Sequence, residues 1–386
     1  MNILIVNCSN FGIAGMQKAF KNLSVGYKII NRELQTVRSD PKVELDLMEA
    51  IAEASYDAVF SFNFLPVLAT ACYKLHKKYF CWVYDNPQVK LYSTTMLYPT
   101  NYCFLFDRAE YETLRDGGIG GVYHLPLAAD VNTYSAIDYS KAKPDHYNDI
   151  SFIGKMYNED DAYLSRYKNM EPYYKGYVDG ILRAQNVLYQ QNILEEALSP
   201  GLIDELYRLV PYKPTDDGVE TLQYIFANYY LARKLATFDR HFYLEELSKH
   251  FRVSLYTLEK TPELPRVINK GIAVYDKDMP LVFNHSKINL NIGLRSIKTG
   301  ISLRCFDIMG CGGFLMSTCQ NELWDYFVPG EDFEFFTSPE DLVKKCKYYL
   351  DHDDVREKVA RNGLEKVREF HSFECRIKEM FDIVFA

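Results

Sequence analysis

The sequence predicts an α/β protein of two domains, each a parallel sheet flanked by helices. Three observations carry that expectation. The 386 residues are more than one core comfortably serves. The first third alternates short apolar runs with amphipathic stretches, the pattern of strands joined by helices. After a polar interval the same rhythm restarts at Asp149–Ile153.

In chain order, Asn2–Asn7 reads as a buried strand rather than a signal peptide, because no basic segment precedes it. A loop with Gly12 and Gly15 leads to a helix from about Met16. A helix over Val43–Ala54 and a strand over Tyr56–Phe60 come next. A second such pair follows, with the helix over Pro66–Lys77 and the strand over Tyr79–Tyr84, ending in Asp85-Asn86-Pro87. Cys103–Phe106 and Val122–Leu125 are strands around a helix at Ala109–Asp116. Polar, aperiodic Asn132–Asn148 reads as a linker. The second domain is expected over 149–369, with a helical insertion over about 160–250. Its later strands are expected at Val253–Tyr256, Ile272–Val274, Ile288–Ile292 and Phe314–Met316. The first domain is expected over 1–148, joined by the closing helix at about 370–386.

Composition narrows the partners. The net charge of −8 and the absence of a basic run argue against nucleic acid. No apolar run approaches the roughly 20 residues of a membrane span. Nine cysteines lie singly, without metal-ligand spacing, and read as core thiols of a reducing cytoplasm. The many tyrosines suit both packed cores and carbohydrate, offering a flat apolar face and a hydroxyl.

The chemically informative stretch is Ile288–Phe327: strand INLNI, loop GLRSIKTG, helix ISLRCFDIMGCG, strand GFLMS. The loop brings Arg295, Lys298, Thr299 and Gly300 to a helix N-terminus, whose orphan N–H groups and dipole favour an anion. Gly300 admits a phosphate to the backbone, Ser302 adds a hydroxyl, and the two cations supply charge-assisted bonds. Asp307, about one and a half turns in, is placed to accept from sugar hydroxyls. The arrangement suits a diphosphate joined to a ribose; a solvated basic loop before a core helix is the plainer alternative. Two such domains facing each other would bind ligand at the carboxyl ends of their strands.

RCFDIMGCGGFLMS followed by NELWDYFVPGEDFEFFTSPEDLVKKCKYYL resembles the donor-binding core of group 1 glycosyltransferases, whose usual form begins R-x-F-E. The resemblance is strongest to the bacterial subgroup named after the spore maturation protein CgeB, often carrying a DUF3880-type N-terminal domain. CWVYDNP, FLFDRAEYETL and YHLPLAADV are similar to that subgroup's first domain. The resemblance implies a GT-B fold, a nucleotide-sugar donor, no cofactor and no required metal. Arg304 and Asp307 match the family's Arg and its ribose-binding Glu, one methylene shorter here. Thr299 stands where the family usually has a second Glu. Gly154-Lys155 matches a glycine and cation that face the diphosphate. Tyr256 and Val274-Tyr275 match strand ends that flank the nucleobase.

Among single residues, Gly12 sits where a ligand would meet the backbone, or serves only a tight turn. Asp85 is the candidate base for an acceptor hydroxyl, its alternative an Asx turn or helix cap. His124 is read as structural; Arg233 and Arg240 flank a helix of the insertion and could reach the cleft, a solvated helix face being the plainer account. The expected activity is metal-independent sugar transfer to a glycan, protein or lipid-linked acceptor. A nucleotide-sugar 2-epimerase and a non-catalytic sugar-nucleotide-binding protein are the alternatives.

Overall fold

The computed structural model of the chain describes residues 1–8, 12–158, 164–188 and 191–386. It divides into two compact units. One comprises 1–130, 213–221 and 372–386, the other 131–212 and 222–371.

The first unit opens with β1 (Asn2–Asn7), α1 (Ile13–Asn22), β2 (Gly26–Asn31), α2 (Pro41–Ala52) and β3 (Ala58–Phe62). It continues with α3 (Pro66–Lys74), β4 (Lys78–Val83), β5 (Asn101–Leu105), α4 (Arg108–Asp116) and β6 (Val122–His124). The six strands form one parallel sheet in the order β2-β1-β3-β4-β5-β6. Ile3, Leu4, Ile5 and Val6 are buried because a parallel sheet is covered on both faces. Local chemistry sets the helix starts. Asp40 precedes Pro41 and accepts from the N–H groups of Lys42 and Val43 at 2.8 and 3.2 Å, a side-chain cap before a proline already shaped for the first turn. The sequence reading did not anticipate β2, whose residues are exposed or half-buried at the sheet edge.

The second unit begins with α5 (Val131–Ser135), inside the stretch expected to be a bare linker, and β7 (Asn148–Ile153). The helical segment contains α6 (Pro172–Val187), α7 (Pro200–Leu209), α8 (Leu222–Ile225), a π-helical turn at 226–231, and α9 (Ala232–Ser248). Its expected start near Asp160 lies outside the described residues. Then come β8 (Val253–Tyr256), β9 (Ile268–Asn269), α10 (Asp278–His285), β10 (Ser286–Asn291), α11 (Leu303–Gly310) and β11 (Leu315–Thr318). The unit closes with α12 (Leu323–Tyr326), β12 (Glu334–Phe336), α13 (Pro339–Asp351) and α14 (Asp353–Phe370). Its parallel sheet has the order β12-β11-β10-β7-β8-β9. The strand expected at Ile272–Val274 is not one. The sheet edge is instead β9, and Gly271 at φ +78° turns the chain away before it.

The last helix, α15 (Phe373–Val384), packs in the first unit: Phe381 meets Phe20 and Phe80, and Phe373 meets Trp82 edge-on. The segment 213–221, within the expected insertion, also packs in the first unit. There Asp217 and Glu220 pair with Arg38, both at 3.2 Å, and Asp217 accepts from Ser93 at 2.6 Å. Among the described residues no helix is long and apolar enough to cross a membrane.

The α11–β11 turn is a packing constraint that can be tested. A Cβ on Gly313 would lie 2.5 Å from the Phe283 carbonyl and 2.7 Å from Asn289 Nδ2. Gly313→Ala should therefore destabilise the second unit by about 1–3 kcal/mol through overpacking. Calorimetric melting checks this, and an unchanged transition would refute it.

Candidate functional site

Among the described residues, two openings lie at the carboxyl ends of the second sheet. The larger, about 540 Å³, is lined by Ile153, Gly154, Lys155, Tyr157 and Asn158 after β7, by Tyr256–Glu259 after β8, and by Arg233, Ile272 and Ala273. A cavity of this size is in the range that holds drug-sized ligands. Gly154 donates its N–H to the Tyr256 carbonyl at 3.2 Å, which ties the two strand ends together. Lys155 is exposed there. The Glu259 carboxylate accepts from the backbone N–H groups of Met156 and Asn158, the latter at 2.9 Å, and shapes the turn after β7. Tyr256 contributes its backbone rather than an open ring face. Its hydroxyl donates to the Asp145 carbonyl and accepts from Asn148 Nδ2 at 3.1 Å, at the far end of the strands.

The smaller opening lies after β10 and β11, lined by Gly293, Arg295, Lys298, Thr318 and Gln320, with Gln185 and Asn192 opposite. Here the cations of the GLRSIKTG loop are already engaged. Arg295 Nε lies 3.0 Å from Asp239, whose side chain is wholly buried. Lys298 lies 3.0 Å from Glu195, with both side chains about 31% exposed. Thr299 donates its hydroxyl to Glu322 at 2.7 Å, and its carbonyl accepts the Glu322 N–H at 3.0 Å. Glu322, which sequence reasoning passed over, is almost fully buried. It places a carboxylate directly against the position where the resembling family has one.

The start of α11 is furnished by side chains. The Ser302 N–H donates to Gln320 Oε1 at 3.2 Å, and the Ser302 hydroxyl lies 3.3 Å from Asn291 Oδ1. Gly300 is buried rather than open to a ligand. Gln320 was not singled out in the sequence because nothing local to β11 marks it as a cap for a helix eighteen residues earlier.

Asp307 is buried inside a polar cluster. Tyr134 of α5 donates to Oδ1 at 2.7 Å, Tyr275 to the same atom at 3.1 Å, and Arg304 stands 3.5 Å from Oδ2. Arg304 also lies over the Phe283 ring. Burial first, and then the Asp307 charge, push both phenols well above the usual tyrosine range, so they remain donors to the carboxylate. The structure thus joins Arg304, Asp307 and Tyr275, and adds Tyr134 from the segment read as linker.

Arg240 overturns the expectation of a solvated helix face. It is only 8% exposed and donates to the carbonyls of Lys155 and Ile292, the latter at 3.1 Å. Arg233 is half-buried, 5.8 Å from the Tyr229 ring centroid.

In the first unit, Gly12 caps α1 at φ +73°, and a Cβ there would meet the Phe62 ring at 2.8 Å. The positive φ and the ring beneath account for a glycine at this place. Asp85 follows β4, beside a small pocket lined also by Asn86, Gln88, Asp107 and Glu110. Asn63, at φ +59°, orients it: Nδ2 donates to Asp85 Oδ2 at 2.8 Å, and Oδ1 accepts from the N–H groups of Tyr84 and Asp85. No group of three or more His, Cys, Asp or Glu that could hold a metal ion occurs among the described residues.

Residues 233–382 match a family model described as glycosyl transferase-like. No curated protein matches the chain. Among solved structures, sucrose-phosphate synthase from Thermosynechococcus elongatus is similar at a TM-score of 0.58 and 9% identity, covering 99% of this chain and 98% of that one. HepE of Anabaena, solved with UDP and glucose, is similar at 0.57 and 10%, covering 99% and 100%. A glycosyltransferase from Rickettsia africae is similar at 0.55 and 12%, covering 99% and 97%. These likenesses show the fold. It is the GT-B fold, with two parallel six-stranded sheets.

Asp85 is exposed at the surface, yet desolvation by the chain around its carboxyl pushes it above its ordinary value, against the opposing Asn63 hydrogen bond and the Lys90 charge. The folded protein then holds this proton more tightly than the unfolded chain. The group's contribution to stability is fullest in acid and is lost as pH rises through the raised value. Asp85→Asn keeps an acceptor for Asn63 and removes the charge. It should therefore melt slightly higher than the parent protein at pH 7, because solvent screens an exposed carboxyl, and lose that advantage below about pH 4. An equal difference at both pH values would show that the carboxyl carries no such penalty.

Proposed function

We propose that this chain is a glycosyltransferase that takes a nucleotide-sugar donor in its second unit and moves the sugar to an acceptor hydroxyl. One observation carries the reading: the 540 Å³ cavity beside Gly154-Lys155 opens at the strand ends of the unit that holds residues 233–371, most of the glycosyl transferase-like segment 233–382. In open α/β sheets ligands bind at those ends. The turn after β7 and the loop before α11 would hold the diphosphate. Lys155, Lys298 and the α11 start would then meet the charge that grows on the outer phosphate as the sugar leaves, a task that preorganised cations perform without a metal.

Asp307 is the ribose ligand in this reading. Ribose hydroxyls would take the places of the Tyr134 and Tyr275 phenols on Oδ1. Asp85 would be the base that accepts the acceptor's proton, its raised affinity for protons moving it toward neutral working pH. HepE was solved with UDP-glucose, so a UDP-sugar is the first donor to test. The resemblance of CWVYDNP and YHLPLAADV supports the CgeB-like bacterial subgroup, and nine cysteines outside any disulfide fit a reducing cytoplasm. The acceptor is a glycan, protein or lipid-linked hydroxyl.

A second reading, donor binding without turnover, draws on the pairing of both loop cations with carboxylates. Donor hydrolysis separates the two. In a thermal-shift panel of UDP-, GDP-, dTDP- and CMP-sugars, one donor at 100 times its Kd should add about 2.7 kcal/mol of stability. The best donor should then be hydrolysed slowly. Lys155→Ala and Lys298→Ala should each lower turnover by about 10²–10³-fold with the fold intact. Absence of any shift across the panel would sink the proposal.

A further inference from the structure

We infer that two consecutive residues of α9, Asp239 and Arg240, are positioning residues that set the spacing of the two loops after β7 and β10. The inference rests on the proposed reading only in taking those loops as the donor site. Arg240 bridges them directly: one guanidinium nitrogen donates to the Lys155 carbonyl and another to the Ile292 carbonyl at 3.1 Å. Its guanidinium lies against two aromatic rings, 5.4 Å from the Phe152 ring centroid and 5.0 Å from that of Tyr157.

Asp239 takes hold of the second loop from the neighbouring position. Its carboxylate accepts from Arg295 Nε at 3.0 Å and from Asn186 Nδ2 of α6 at 2.7 Å, with no exposure to solvent. Asn192 in turn donates to the Arg295 carbonyl.

The physics favours a positioning role over a solvated one. Buried carbonyls must find donors, and a guanidinium offers several in a rigid fork, so it fixes the distance between two acceptors. An ammonium is a point donor on a flexible stem and fixes no such distance. Removing either partner of a buried charged pair leaves the other uncompensated, so the arrangement has one low-energy geometry. The β7 loop lines the larger cavity and the β10 loop the smaller. A diphosphate that spans both loops binds well only while the fork keeps them in register.

The test uses the full chain, with UDP as the probe, and compares the parent protein with R240K, R240M and the control L235A. Leu235 is fully buried on the same helix, and its apolar side chain offers no hydrogen bond to either loop. R240K should weaken UDP binding by calorimetry about 10-fold, and R240M about 100-fold, from lost bonds to a charged donor. Without ligand, both variants should exchange amide hydrogens faster over 153–158 and 292–298 together. L235A should lower the melting temperature and leave the UDP affinity unchanged. If R240M does not fold, R240K alone decides.

Parent-like UDP affinity and exchange in R240K would overturn the inference, as would faster exchange in only one of the two segments. If the parent protein binds no nucleoside diphosphate, the donor reading fails, and the exchange measurement still decides the claim about the loops.

Discussion

The asparagines of β10 are the interaction on which the second unit depends. Asn289 and Asn291 lie two residues apart, so they share a face of the central strand. Asn289 accepts from Ser151 on β7 at 2.8 Å and donates to the Phe283 and Phe314 carbonyls, which joins β7, α10 and the start of β11. Asn291 donates to Ser317 on β11 at 2.9 Å and faces Ser302 and Cys305 of α11. A one-residue slip of β10 would turn both amides to the other face and leave several buried groups without partners. Register and the position of the α11 start are therefore fixed by the same pair of side chains. Close approach at Gly313, whose Cβ position is filled by Asn289 and the Phe283 carbonyl, belongs to this network.

The first unit achieves placement by a different local device. Asn63 adopts a left-handed backbone, tolerable for asparagine, at the end of β3. Its single amide then serves three partners around Tyr84 and Asp85, just past the end of β4. Asp85 is thus held in position by hydrogen bonding at the surface while partial desolvation works against its charge. A carboxyl fixed but electrostatically discouraged is the condition that general acid–base chemistry exploits.

The fold was legible because parallel strands write themselves as local apolar runs. ILIV, AVF and YFCWV are buried whatever surrounds them. What stayed hidden depended on partners distant in sequence. GYKIIN becomes β2 only by pairing with β1, and its edge exposure blurs the alternation that marks a strand. Arg240 looks like any charged residue on an amphipathic helix until the carbonyls of Lys155 and Ile292 arrive beside it. Tyr134 sits in a polar stretch whose short helix has too few residues to show a period, and its partner is 173 residues away. The segment 213–221 falls within the expected helical insertion, yet its Asp217 and Glu220 pair with Arg38, far earlier in the chain. At the α11 loop the residue types were legible as anion-seeking, but their carboxylate partners Asp239, Glu195 and Glu322 were not.

Those partners divide the loop's cations into two kinds. The Arg295–Asp239 pair is buried on the carboxylate side, and separating it would strand a charge at a cost of about 3–5 kcal/mol. Arg295 is therefore part of the frame. Lys298 and Glu195 are each partly open to solvent, and such pairs contribute about 0–1 kcal/mol. In the proposed reading, a donor phosphate would carry more charge than Glu195 and would need only to displace it, with water taking over the released carboxylate. Two cations that look equivalent in GLRSIKTG thus differ in kind: Arg295 holds the loop where it is, and Lys298 has a partner weak enough to exchange.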